Sequence, residues 1–535
     1  MPRPFEVARR AGSNLSGALR RALARQALPG GGGWWVRLRL MPPLLEQPAP
    51  RVAAEPWPSL LDVLQTLEAA ARDPDVAGVC LELAGEPVGW ARTGSLCRAV
   101  AALRAAGKPV AVFAETLDAQ SLQLASAASR VWLPESGQVF LVGLRADAFY
   151  LRDLLARIEV RPEVVRIGTH KTAGESLIRD RMSPEQREQL EALVDDWFGA
   201  LVDGIASGRG LAQGTVRDLI DRGPYTARAA VDAGLVDACV YPDEIEERLS
   251  ELAPEPPASR PGPRRAVCVD ARAYHALRVD HRAWTPLLAE VPRFAYVVAG
   301  GAIHRGHGVR GIASETLGTL LDGLRRNEEV RGVVLRIDSP GGDALASDLL
   351  WRDVDRLRRE KPVVASLAEV AASGGYYLAS AADAVLAETG TLTGSIGVVG
   401  GKVDLEGLYR RLGIGRDAVE RGARAGLLSE ARAFTEDERR AVRDEMAALY
   451  STFVDRVSEG RGLAREAVLR VAEGRVWSGV RAQRLGLVDA IGGPLEALRE
   501  ARHRAGLRPG ERASLDLYPR HAGLPGLRAL LRWLA

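Results

Sequence analysis

EVAASGGYYLASAADAVLAETGTLTGSIGVVG, residues Glu369–Gly400, is the stretch from which the chain is best read. A run of small residues, Ala371–Gly375, leads into an apolar, alanine-rich segment, and the spacing predicts a buried helix over Tyr376–Ala384. A turn-rich segment, Thr391–Gly397, closes it. A serine at the start of such a helix holds its hydroxyl near free backbone N–H groups and the positive end of the helix dipole. Ser373 has that position, and Gly374 and Gly375 beyond it would let a substrate backbone come close. The position suits a nucleophile, which would still need a base and an oxyanion site.

Upstream, the strand Val333–Ile337 runs into Asp338-Ser339-Pro340-Gly341-Gly342. Glycines beyond the C-terminal end of a parallel strand lie where open α/β sheets bind ligands. Their N–H groups can face a developing oxyanion. Further back, strand and helix alternate: Trp35–Leu40, helix Leu60–Ala71, buried strand Val76–Leu83, helix Leu96–Ala106, strand Pro109–Ala114. That alternation predicts an α/β fold with parallel sheets flanked by helices.

The same order recurs. VAGVCLEL at Val76 matches VRGVVLRI at Val330, GKPVAVFAE at Gly107 matches EKPVVASLAE at Glu360, and LASAASRVWL at Leu124 matches LASAADAVLA at Leu378. SGRGLAQGTV at Ser207 and EGRGLAREAV at Glu459 form a further pair. The spacing stays close to 254 residues, as from Gly78 to Gly332. A period this long is a tandem duplication of a domain, since solenoid repeats run about 20–50 residues. The expected organisation is a basic amphipathic segment (1–33), a first copy (34–252), a Pro-rich linker and crossover (253–292), a second copy (293–510) and an amphipathic tail (511–535).

The two copies differ where chemistry is expected. The second has Ser373 and the Gly341-Gly342 turn; the first has Ala119 and Ala84-Gly85-Glu86-Pro87-Val88 at the matching places. The reverse holds in VVRIGTHKTAGESLIRDRMSPEQRE, Val164–Glu188, where Lys171 aligns with Ala425 of the second copy. Reciprocal loss points to one composite site using both halves. A serine hydroxyl needs a base to become a nucleophile. Lysine serves only when neutral, so its pKa must fall from about 10.4. Burial between the copies would lower it, whereas a carboxylate partner would not. Neither Glu175 nor Asp180 is therefore expected to pair with Lys171.

On GVVLRIDSPGG at Gly332, AASGGYY at Ala371, TLTGSIGVVG at Thr391 and RIGTHKTAGESLIRDRMS at Arg166, the chain resembles the signal peptide peptidase A family. The likeness is to its long bacterial form, within the Clp/crotonase-like superfamily. The resemblance implies two tandem Clp/crotonase-like domains and a serine endopeptidase with a serine–lysine dyad. The matching positions are Ser373 as nucleophile, Lys171 as general base and Ser395 as the residue that holds the lysine. Gly341 or Gly342, with Gly374, would supply the oxyanion donors. The implied substrates are apolar peptides such as remnant signal peptides, and the implied assembly is a homotetramer on a membrane. The family's usual anchor is a transmembrane helix, and the sequence offers no such span.

Composition narrows the alternatives. The 535 residues carry a net charge of +3, so no basic field calls for nucleic acid. The four cysteines have no metal or disulfide spacing and the seven histidines no metal pattern, so no metal or cofactor is expected. No apolar run reaches about 18 residues. Leu15, Leu19, Leu23 and Leu28 among arginines, and Leu524–Leu534 with Arg528 and Arg532, are amphipathic and could contact a membrane surface peripherally. Taken singly, Ser373 could be a packed cap, Lys171 a solvated surface residue and Ser395 a turn residue. Ser339 reads as a loop hydrogen bonder, Tyr376 and Tyr377 as core, and His170 as incidental. Two other functions compete with the peptidase. A crotonase-like acyl-CoA enzyme would leave Lys171 without a task, and a non-catalytic scaffold would leave Ser373 and the glycine turn unexplained.

Overall fold

The computed structural model describes residues 32–41, 43–46, 59–84, 88–252, 265–279, 291–508 and 510–519, with residues 11, 12, 14, 15 and 18. The amphipathic stretches expected near both termini and the Pro-rich linker fall largely outside these residues, as do residues 85–87 of the first copy's turn.

Two parallel sheets form the framework. In the first, of six strands, the order is Cys268–Asp270, Trp34–Leu40, Val76–Leu83, Val110–Ala114, Arg130–Leu133 and Ala238–Cys239. Every neighbouring pair is parallel. The second, of eight strands, repeats that order as Ser514–Tyr518, Arg293–Gly300, Val330–Ser339, Val363–Ala372, Ala384–Ala387 and Ala490–Ile491. Two more strands, Leu392–Gly394 and Val476–Ser478, branch from the far end of Val363–Ala372, the second of them antiparallel. The central strands read as continuous apolar runs because both faces are covered by helices. Val79, Leu81, Val110 and Val112 have no exposed surface, nor have their counterparts Val333, Leu335, Val363 and Ala365.

Three expectations need correction. The helix predicted over Tyr376–Ala384 spans Gly374–Ser380, and Ala384–Ala387 is a strand. A short apolar run fits a buried strand or a buried helix equally well by pattern alone. The helix predicted from Leu96 begins at Trp90. Its first turn is held by Glu369 of the second copy, whose carboxylate accepts the Ala91 and Arg92 N–H groups at 3.0 and 2.8 Å. A partner 277 residues away leaves no local signal. The tail expected from residue 511 begins as the edge strand Ser514–Tyr518, paired with Arg293–Gly300. Cys268–Asp270, in the expected crossover, does the same for Trp34–Leu40. Each sheet is thus closed on one edge by a late strand, which comes after the helix Ile245–Leu252 in the first copy and after Pro494–Arg504 in the second.

A two-stranded ribbon joins the two halves through main chain. Arg161–Ile167 of the first copy pairs antiparallel with Val398–Asp404 of the second, Ile167 facing Val398 and Arg161 facing Asp404. Val165 is buried in this ribbon against Phe434 and Met446 of the second copy.

Candidate active site

The strand Val363–Ala372 ends in Ser373, and the helix Gly374–Ser380 starts directly after it. The turn is sharp: Ser373 has φ +54° and ψ −120°, a conformation that L residues seldom adopt and that persists where the surroundings enforce it. Its N–H donates to the Gly394 carbonyl at 2.8 Å, and its carbonyl accepts the Tyr377 N–H at 2.8 Å. Its hydroxyl caps nothing. In the first copy the matching helix, Ala119–Ser126, has an ordinary cap: Asp118, at φ −93°, accepts the Ser121 N–H. The same turn is relaxed where the serine is missing.

Lys171 reaches this point from the other half. The ribbon ends at Ile167, and the chain turns at Gly168. The Glu473 carbonyl of the second copy accepts the His170 N–H at 2.8 Å, and the Glu473 carboxylate accepts the Thr169 N–H at 3.0 Å. Gly474 lies flat against Lys171, so a Cβ there would come 2.5 Å from the lysine Cβ. Gln189 braces the loop from below, donating to Thr172 Oγ1 at 2.7 Å. Held this way, Lys171 Nζ lies 3.0 Å from Ser373 Oγ, 3.0 Å from Ser395 Oγ and 2.9 Å from the Ser395 carbonyl. Ser395 is itself fixed at φ +53°, its N–H donating to the Arg475 carbonyl at 2.7 Å.

Lys171 is only 4% exposed, and burial alone brings its pKa down to about 8. The nearby acids are engaged elsewhere. Glu175 pairs with Arg166 at 2.6 Å, and Asp180 pairs with Arg152 at 3.1 Å. Among the described residues no carboxylate forms an ion pair with Lys171. His170 points away, its Nε2 3.5 Å from Glu188.

The glycine turn also approaches Ser373. A Cβ on Gly341 would lie 2.8 Å from Ser373 Cβ and from the Gly374 nitrogen. The Gly341 N–H donates to Ser339 Oγ at 3.1 Å, which takes Gly341 out of the expected donor set. That leaves Gly342, and Gly374 at the first helical position, where an N–H has no intrahelical acceptor. Tyr376 and Tyr377 are buried, the second stacked on Phe453.

Sequence reasoning missed Glu473, Gly474 and Gln189. Glu473 and Gly474 act through contacts between halves, and Gln189 through a side-chain contact 17 residues along the chain, none of which spacing or periodicity reports. Among the described residues no helix is long and apolar enough to cross a membrane.

Comparison with known proteins gives consistent relatives. The description of peptidase family S49 matches residues 102–254 and 355–508, one segment in each copy. The chloroplastic serine protease SPPA of Arabidopsis thaliana is 33% identical over 465 residues, covering 85% of this chain and 67% of that protein. Protease 4 of Salmonella typhi is 29% identical over 467 residues, covering 84% of this chain and 72% of that protein. A putative signal peptide peptidase SppA of Enterococcus faecium is 32% identical over 181 residues, covering 34% of this chain and 53% of that protein.

Proposed function

The chain belongs to peptidase family S49, in a tandem form whose two segments both match it, and from that premise we propose that it cleaves peptide bonds with Ser373 and Lys171 as a dyad. The observation that carries this reading is the 3.0 Å contact between Lys171 Nζ and Ser373 Oγ, made by a buried lysine with no acidic partner among the described residues. Neutral Lys171 takes the Ser373 proton as Oγ attacks the scissile carbonyl. The oxyanion forms against the Gly342 and Gly374 N–H groups. Collapse breaks the C–N bond, the Lys171 ammonium returns the proton to the leaving amine, and Ser373 holds the acyl group. Lys171 then deprotonates a water that attacks the ester; the acid product leaves and Ser373 regains its proton. Ser395 fixes Nζ through its hydroxyl and carbonyl, so the base has one position throughout.

For substrates we propose short apolar peptides, remnant signal peptides among them. Peripheral membrane contact and a homotetramer are proposed with them, on the family resemblance. The test is hydrolysis of a fluorogenic peptide with apolar residues before the scissile bond. Ser373→Ala and Lys171→Ala should each reduce kcat by about a thousandfold or more. Both variants keeping full activity would end the dyad reading, and so would a fluorophosphonate adduct mapped to another residue.

A further inference from the structure

The two copies differ by one residue in the strand that leads to the nucleophile. Glu115 lies six residues beyond Pro109 in the first copy, and Glu369 lies seven beyond Pro362 in the second. The extra residue goes into a bulge. Val330–Ser339 and Val363–Ala372 pair in regular register through Ile337 and Leu367, and the next pair is Ser339 with Ala371, so Asp338 stands against Ala368–Val370. A bulge re-aims the strand beyond it. Here that strand ends in Ser373. In the first copy the matching strands keep register to Leu83 and Ala114, and the chain bends at Glu115 before Thr116–Asp118.

A bulge also leaves ladder groups unpaired. The Asp338 side chain replaces one of them, its Oδ1 accepting the Val370 N–H at 3.2 Å. Its Oδ2 accepts Arg92 Nη2 of the first copy at 3.1 Å. Arg92 is anchored in turn, its Nε donating to Glu46 at 3.0 Å. Glu46 also takes Arg336, which donates to Ser366 Oγ and the Leu367 carbonyl at 3.0 and 2.8 Å, just before the bulge. Glu369, inside the bulge, caps the helix that carries Arg92. The first copy has Ala84 where the second has Asp338, so this brace serves only the copy with the serine. Burial and the Glu46 carboxylate push the Asp338 carboxyl above its usual range, and the Val370 N–H and Arg92 oppose that. Burial pushes Glu369 up as well.

We propose that Asp338 is a positioning residue for Ser373 and that Arg92 of the other copy keeps it in place. The Asp338 carboxylate fixes the bulge, the bulge fixes the strained turn, and the turn sets Ser373 Oγ against Lys171 Nζ. The first copy thus contributes twice to the site, with the base and with the cation that steadies the nucleophile's strand. The inference rests on Ser373 being the nucleophile, and it adds two residues that act through the strand.

The test is kcat and KM on the fluorogenic apolar peptide, read well below each variant's unfolding range, with Ser373→Ala as the reference. Asp338→Ala should lower kcat at least about tenfold and leave KM within about twofold, since a displaced nucleophile loses its near-attack geometry. Asp338→Asn keeps an acceptor for Val370 and should recover part of that loss. Arg92→Ala should lower kcat too, and combined with Asp338→Ala it should cost less than the product of the single losses, because both act through one strand. Its profile of kcat against pH should gain a second ionisation on the acid side of the Lys171 limb, since Asp338 without its cation keeps its proton to a higher pH. Adding Asp338→Asn should remove that ionisation. General loosening would lower the whole profile and add none. Should Arg92→Ala not fold, Arg92→Lys gives the same reading, because one ammonium cannot hold Glu46 and Asp338 together as the guanidinium does. Wild-type kcat in Asp338→Ala, or losses that simply multiply, would overturn the inference while Ser373→Ala stays inactive. Activity retained by Ser373→Ala would overturn the dyad reading and this inference with it.

Discussion

Lys171 can take a proton only in its neutral form, and its burial has a measurable consequence for stability as well as for rate. Its pKa falls from 10.5 to about 8 in the folded protein. Between those values the unfolded chain holds a proton that the folded chain lacks, so folding stability rises with pH through that window. Below about pH 8 the folded state carries the whole cost, about 3 kcal/mol at 1.4 kcal/mol per unit. Lys171→Met should therefore raise the thermal midpoint at pH 7 while removing activity, and the gain should shrink as the pH approaches 10. For the wild type, kcat/KM should climb along a single ionisation near pH 8. A flat profile from pH 6 to 9 would exclude Lys171 as the base. The meeting of Lys171 and Ser373 could be read from the sequence because each copy keeps what the other lacks. The engagement of Gly341 by Ser339 could not, because a hydrogen bond inside a turn leaves no mark on spacing.

The ribbon Arg161–Ile167 with Val398–Asp404 aims Lys171, and the turn Glu473–Arg475 fixes where it stops. Gly474 is the critical point of that turn: it has φ +75° and no room for a side chain against Lys171. Gly474→Ala should push the lysine loop off its seat and lower kcat at least about tenfold with little change in KM, since small displacements of a catalytic group are costly. Gly462→Ala is the matched control, being at φ +63° with open space around it. It should carry the backbone strain, about 1 kcal/mol, and leave kcat intact. Equal kcat losses in the two variants would refute the positioning role. Several of the central strands outside this ribbon were legible. Val76–Leu83 occupies the predicted residues, and the strand predicted over Trp35–Leu40 begins one residue earlier, at Trp34. Their apolar runs are dictated by burial within one sheet. The ribbon escaped because its two strands belong to different copies and neither is buried on both faces.

At the scale of the molecule, the site exists only while the two copies hold their mutual position, and charged contacts help to hold it. Glu388, whose side chain has no exposed surface, takes Arg98 and Ser95 of the first copy. Arg336, equally enclosed, binds Glu46 at 2.8 Å. The sequence announced two copies but not these bridges, since complementary charges hundreds of residues apart have no common period. Arg98→Ala leaves a buried carboxylate without its cation, and losing one partner of such a pair is far worse than losing both. Arg98 is 36% exposed, so the loss should be about 2–4 kcal/mol, below that of a fully enclosed pair. Glu388→Gln, which keeps one acceptor oxygen for Ser95 and Arg98 but gives up the second Arg98 hydrogen bond and the charge, should cost less. The informative comparison is Leu219→Ala, which opens a cavity in the first copy's own core at a similar cost of about 2–4 kcal/mol. Both variants should unfold earlier under heat. Only Arg98→Ala should also lower kcat well below the unfolding range, because it loosens Lys171 relative to Ser373 while each copy remains folded. Matching kcat values for the two variants would mean that the copies keep Lys171 on Ser373 without this bridge.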